Sequence, residues 1–202
     1  MTNYKNVKYS FPTVTLSGAT EASPAEGDIW YDSGKFHLGT SQSFAGTWSS
    51  GGNLGTARYF LAGAGTQSAG LCMGGHVSSP LNVTEEYNGA TWSSGGNLGT
   101  ARYALPGAGT QTAGLCMGGY ISSYSNVTEE YDGTSWSSGG NLATARYHLA
   151  GAGTQTAGLC MGGHDGSVSN VTEEYNGTSW SSGGNLATAR ERLAGAGTQS
   201  AG

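Results

Sequence analysis

Charge is what this sequence has least of. Only 10% of its 202 residues are charged, and eight basic residues face thirteen acidic ones, for a formal net charge of −5. Proteins that hold phosphate backbones need a basic field, so no nucleic-acid partner is expected. Long apolar runs are missing too. The opening "MTNYKNVKYSF" lacks the stretch a secretory signal needs, and no segment is apolar enough to span a bilayer. A soluble chain is expected, with no export signal of its own and no membrane insertion. Cysteine occurs three times, at Cys72, Cys116 and Cys160, always in the context "LCMGG". No C-x-x-C pair or nearby histidine accompanies them, so each is read as a small buried thiol in a reduced compartment.

Catalytic patterns are equally scarce. His37, His76, His148 and His164 form no H-x-H or H-x-x-x-H pair, and the many serines sit in repeated turns without a nucleophile elbow. "GAGTQ" lacks the lysine and following helix of a phosphate loop. Asp28 and Asp32 read as the solvated edge of a hairpin. The "NVT" triplets at Asn82, Asn126 and Asn170 match a glycosylation sequon but recur inside a predicted strand. No enzyme activity, metal or cofactor is expected.

Glycine is abundant, at 37 residues, and alone would suggest low complexity. The aromatics argue for order, because Trp48, Trp92, Trp136 and Trp180 stand 44 residues apart. Such a period is the mark of a repeat architecture. One unit divides at glycine-rich turns into "YFLAGAG", "AGLCMGG", "NVTEEY" and "TWSSGG". None is long enough for a helix, and glycine this dense weakens one. Four short strands in about 40–50 residues predict an all-β propeller of four-stranded antiparallel blades.

Side-chain alternation agrees. Leu71 and Met73 lie on one side of the second strand and Cys72 on the other, as in a sheet covered on both faces. Gly63, Ala64 and Gly65 are small enough to crowd around an axis. In the third strand Val83, Glu85 and Tyr87 alternate with Thr84 and Glu86. The single arginine of each "TAR", at Arg58, Arg102, Arg146 and Arg190, is the expected structural partner of a glutamate. Trp92, Trp136 and Trp180 are expected to be buried between blades.

Gly74-Gly75, Tyr87 and Trp92, repeated twice more at spacings of 12 and 5, resemble the kelch repeat. The resemblance covers the chain from about Phe44 onward. It implies a double glycine ending the second strand, the tyrosine on the third and the tryptophan opening the fourth. Two glutamates stand where kelch repeats usually carry apolar residues, and "WSSGGNL" replaces the usual longer fourth strand. Kelch propellers of six or seven blades would need about 264–308 residues at this period, so a chain continuing past Gly202 is the favoured expectation. The alternative is closure as four blades, since Gly27 to Gly202 is 176 residues, four times 44.

Residues 1–26 are set apart as an N-terminal attachment segment and 27–202 as the repeat array. "SPAEGDIWYDSGKFHLGTS" resembles the "GDIWYD…GK" hairpin of bacteriophage tail-fibre and other virion proteins. The "TWSSGGNL.TAR" units are similar to repeats encoded by marine phages. These resemblances imply a virion structural protein, a tail fibre or other appendage. It would be attached to other virion proteins by its N-terminus, be homo-oligomeric, and contact a host surface receptor or glycan. The rival reading is a non-viral kelch-type interaction adaptor, and a third is a propeller enzyme.

Comparison of the copies with one another locates the candidate site. They differ after the double glycine, as "HVSSPL", "YISSYS" and "HDGSVS", and just after the arginine, as Tyr59-Phe60, Tyr103-Ala104, Tyr147-His148 and Glu191-Arg192. In an antiparallel blade both places fall on one face of the disc, opposite the constant "GTQ" turns. Variable positions rich in Tyr and His on a fixed scaffold are the pattern of a binding surface. The candidate contacts are His76, Tyr103, Tyr120, Tyr147, His148 and His164. Neutral drift of exposed loops is the competing explanation, under which the opposite turns would be held constant by their own turn geometry.

Overall fold

A computed structural model of the chain describes residues 29–32, 35–38 and 49–201. The chain falls into two units, Met1–Ser49 and Ser50–Gly202. In the first, β1 (Ile29–Asp32) and β2 (Lys35–Leu38) form an antiparallel hairpin with Asp32 opposite Lys35. These are the two strands read in "DIWYDSGKFHL". The proposed attachment segment and Trp48 itself lie outside the described residues.

The second unit holds three four-stranded antiparallel sheets, with no helix among the described residues. The first contains β3 (Ala62–Thr66), β4 (Ala69–Met73), β5 (Thr84–Tyr87) and β6 (Trp92–Ser94). The second contains β7 (Gly107–Thr110), β8 (Ala113–Met117), β9 (Thr128–Tyr131) and β10 (Trp136–Ser138). The third contains β11 (Ala150–Gly153), β12 (Gly158–Met161), β13 (Thr172–Tyr175) and β14 (Trp180–Ser182). Each sheet is a meander whose strands pair in chain order, so the four segments of a repeat make one sheet. The arrangement is compatible with a propeller.

The core lies between sheets. Leu71 and Met73 of β4 meet Cys116 of β8 and Tyr131 of β9, with Ala62, Leu98 and Leu105 completing the cluster. The same set recurs one copy on, with Leu115, Met117, Cys160 and Tyr175. The "LCM" of the second sheet therefore gives Leu115 and Met117 to one neighbour and Cys116 to the other, which is why that strand is apolar on both faces. Burying one such leucine stabilises the fold by about 1.5–3 kcal/mol. All three thiols are free, and burial pushes Cys116 and Cys160 up to about 12. In the folded protein at neutral pH these two should resist a disulfide-exchange reagent and react on unfolding. Rapid labelling of either would contradict their placement.

The tryptophans correct one expectation. Trp92, Trp136 and Trp180 are half-buried, because each opens a three-residue strand at the outer edge of its sheet. Trp136 and Trp180 still join neighbouring sheets. Trp136 packs on Tyr131, with ring centroids 4.9 Å apart, and donates its Nε1–H to Thr84 Oγ1 at 2.9 Å. Trp180 repeats the bond to Thr128. Tyr131 likewise donates its hydroxyl to Glu86 of the preceding sheet.

At the inner edge β3 lies against β7, and β7 against β11. Positions 61–63, 105–107, 149–151 and 193–195 of four successive copies line one open cavity of about 360 Å³. A side-chain carbon on Gly107 would stand 2.6 Å from the Gly63 carbonyl oxygen, closer than such atoms approach. Gly107→Ala should therefore cost about 1–3 kcal/mol in urea unfolding. Gly63→Ala is the matched control, since its nearest such neighbour is 3.8 Å away. Equal effects from the two would contradict the close approach of the inner strands.

Candidate binding face

The double glycine at the end of each second strand turns the chain sharply. Gly118 and Gly119 hold φ of 61° and 98°, a region glycine enters without the steric cost a side chain carries. Tyr120 then runs back beside Tyr103. Each donates its backbone N–H to the carbonyl of the other, at 2.8 and 3.1 Å. Tyr59 pairs with His76, and Tyr147 with His164, in the same way. Both variable places of a copy are thus backbone partners on one face.

Their rings form a continuous run across three copies. His76 lies 5.2 Å from Tyr59 and 4.8 Å from Tyr103 by ring centroid. Tyr120 lies 5.5 Å from both Tyr103 and Tyr147, and Tyr147 lies 5.5 Å from His164. Tyr124 stacks on Tyr147 at 5.3 Å with the planes 8° apart. His148 joins through Tyr147 at 4.3 Å. All six expected site residues are therefore brought together. Tyr59, Phe60 and Tyr124 belong with them and were not among the expected contacts. The signal was present, since Tyr124 lies in the variable "YISSYS" and Tyr59-Phe60 is one of the variable pairs.

Tyr103, Tyr120, Tyr124 and Tyr147, with Ser122 and Ser123, line an open cavity of about 450 Å³. Tyr59 is 51% exposed, Phe60 49% and Tyr124 36%. Partial burial and the neighbouring phenols Tyr120 and Tyr147 push the Tyr103 phenol up, so it is a neutral hydrogen-bond donor at physiological pH. The Tyr120 hydroxyl is held by the Ser122 carbonyl at 3.0 Å. The cavity offers flat rings with hydroxyls at their edges, suited to stacking and short polar contacts.

The opposite turns are constant for a structural reason. Gln111 Nε2 donates to the Gly70 and Tyr87 carbonyls of the preceding sheet at 3.0 and 2.8 Å, and Gln155 and Gln199 repeat this. The sequon asparagines are engaged similarly, Asn82 donating to the Leu98 carbonyl at 3.3 Å. Among the described residues no group of three His, Cys, Asp or Glu is placed to hold a metal ion. No family model matches the chain, and no curated protein matches it. The chemistry of the face itself carries the functional reading.

Proposed function

We propose that the chain is a virion structural protein, a bacteriophage tail-fibre or appendage protein built as a kelch-like propeller, whose aromatic face binds a host surface receptor, with a glycan as the ligand the face fits best. The carrying observation is the run of partly exposed Tyr and His side chains, which occupies the positions that vary between otherwise near-identical copies. Tyrosine supplies rigid amphipathic contact area at low entropic cost, and its ring face suits a sugar ring. The resemblance of "GDIWYD…GK" to virion hairpins supports attachment through the N-terminal segment to other virion proteins, as part of a homo-oligomeric appendage. An antibody raised against residues 50–202 should label an appendage of the particle in electron microscopy and block adsorption to host cells. Labelling of the capsid interior, or adsorption untouched by the bound antibody, would contradict this reading.

A further inference from the structure

Beside the tyrosine cavity lies a second one, on the same face. The residue after each Tyr59-type position has a left-handed backbone in all four copies: Phe60 at φ 55°, Ala104 at 52°, His148 at 53° and Arg192 at 56°. Non-glycine residues enter this region at a cost, and Gly or Asn would suit it better. None of the four is Gly or Asn, so the side chains are retained against backbone preference. A ladder of backbone bonds sets them in order. Ala104 N–H donates to the Phe60 carbonyl at 2.8 Å, His148 N–H to Ala104 at 2.9 Å, and Arg192 N–H to His148 at 2.8 Å. Together with the leucines that follow them they line an open cavity of about 280 Å³.

Arg192 gives this cavity a charge that no other residue of its lining supplies. Arg58, Arg102 and Arg146 are each paired with a glutamate in the interior. Arg192 is exposed and has no carboxylate partner among the described residues. Its Nε–H donates to His148 Nδ1 at 3.3 Å, which steadies the guanidinium and leaves both terminal nitrogens available. Glu191 approaches the same ring nitrogen only to 3.9 Å. Phe60 packs on His148 at 5.4 Å and stacks with Tyr103 at 6.1 Å, while His148 adjoins Tyr147. This cavity and the tyrosine cavity are thus joined by ring contacts.

We propose that Arg192 receives the carboxylate of an acidic sugar residue, so that the ligand of the aromatic face is a carboxylated glycan with a neighbouring sugar ring on the tyrosines. This rests on the glycan-binding reading above. The planar guanidinium fork matches a planar carboxylate with two parallel hydrogen bonds. A single guanidinium in this cavity, on a chain of net charge −5, suits a single negative charge better than a phosphate dianion. The test is an array of neutral, uronic-acid, sialic-acid, sulfated and phosphorylated oligosaccharides, probed with the intact protein and with Arg192→Gln. Bound members should carry a carboxylate. Chemical reduction of that carboxyl and Arg192→Gln should each weaken binding by about tenfold or more, with an unchanged melting temperature. Preference for neutral, sulfated or phosphorylated members, or equal binding after carboxyl reduction or Arg192→Gln, overturns the carboxylate proposal and leaves glycan binding standing. Binding to no member overturns both.

Discussion

Replacing Arg146 with leucine is expected to lower stability by about 3–5 kcal/mol, because it strands a buried carboxylate. The Arg146 side chain is fully buried and that of Glu173 is 2% exposed. One guanidinium nitrogen donates to the Gly162 and Val171 carbonyls at 2.7 and 2.8 Å. The other reaches Glu173 Oε1 at 2.8 Å and Cys160 Sγ at 3.2 Å. The second Glu173 oxygen accepts the Ala143 N–H at 2.8 Å. Meanwhile the Arg146 backbone is bonded to Ser125 and Gly119 of the preceding sheet, so one residue fastens two sheets together. Adding Glu173→Leu to the single variant should recover part of the loss, since apolar replacement of both partners removes the stranded charge. Urea unfolding of the single and double variants measures this. A single-variant loss under about 1 kcal/mol would show that water reaches Glu173 and that the pair does not fasten the sheets.

If the chain acts as proposed, the second large effect is on host attachment. Tyr124→Ala combined with Tyr147→Ala removes the stacked pair that walls the tyrosine cavity. Each aromatic anchor of an interface is worth about 1–2 kcal/mol or more, so the pair should weaken host attachment on the order of 100-fold. Thermal stability should change little, because Tyr124 is exposed and Tyr147 half-buried. The controls are Thr112→Ala and Thr156→Ala, exposed residues in the opposite turns. Gln111 and Gln155 are unsuitable as controls because they bond to the neighbouring sheet. Adsorption assays on particles carrying each variant decide between the faces. Normal adsorption by the tyrosine variant, with failure of the threonine variants, would place recognition on the other side.

The sheets were legible in the sequence because their cause is periodic. Leu71, Cys72 and Met73 alternate across a strand, and the "GAG" segments announce a crowded inner edge. The Arg–Glu pairing was also legible, since one arginine and one glutamate per copy had no other use inside a covered sheet. Arg190 of the fourth copy is exposed, and its Nε–H donates to the Thr188 carbonyl at 3.4 Å.

What escaped the sequence was mostly contact between copies. Alternation shows that Glu86 faces away from Glu85, but not that it accepts the Tyr131 hydroxyl of the next sheet. It cannot show that Gln111 reaches the carbonyls of Gly70 and Tyr87. The half-exposure of Trp136 follows from the shortness of its strand, which composition does not measure. On the binding face, the variable positions were visible as differences, whereas the stacking of Tyr124 on Tyr147 depends on a tight turn closing from Tyr120 to Tyr124.

The most direct test of the proposed recognition face is hydroxyl-radical footprinting of the protein alone and bound to cell envelopes that retain it in a pull-down. Tyr103, Tyr120, Tyr124 and Tyr147 should lose reactivity together on binding, with His76 and His164 following. The turns around Thr112 and Thr156 should react as in the free protein. Protection centred on those turns, with the tyrosines still fully reactive, would contradict the aromatic face as the site of recognition.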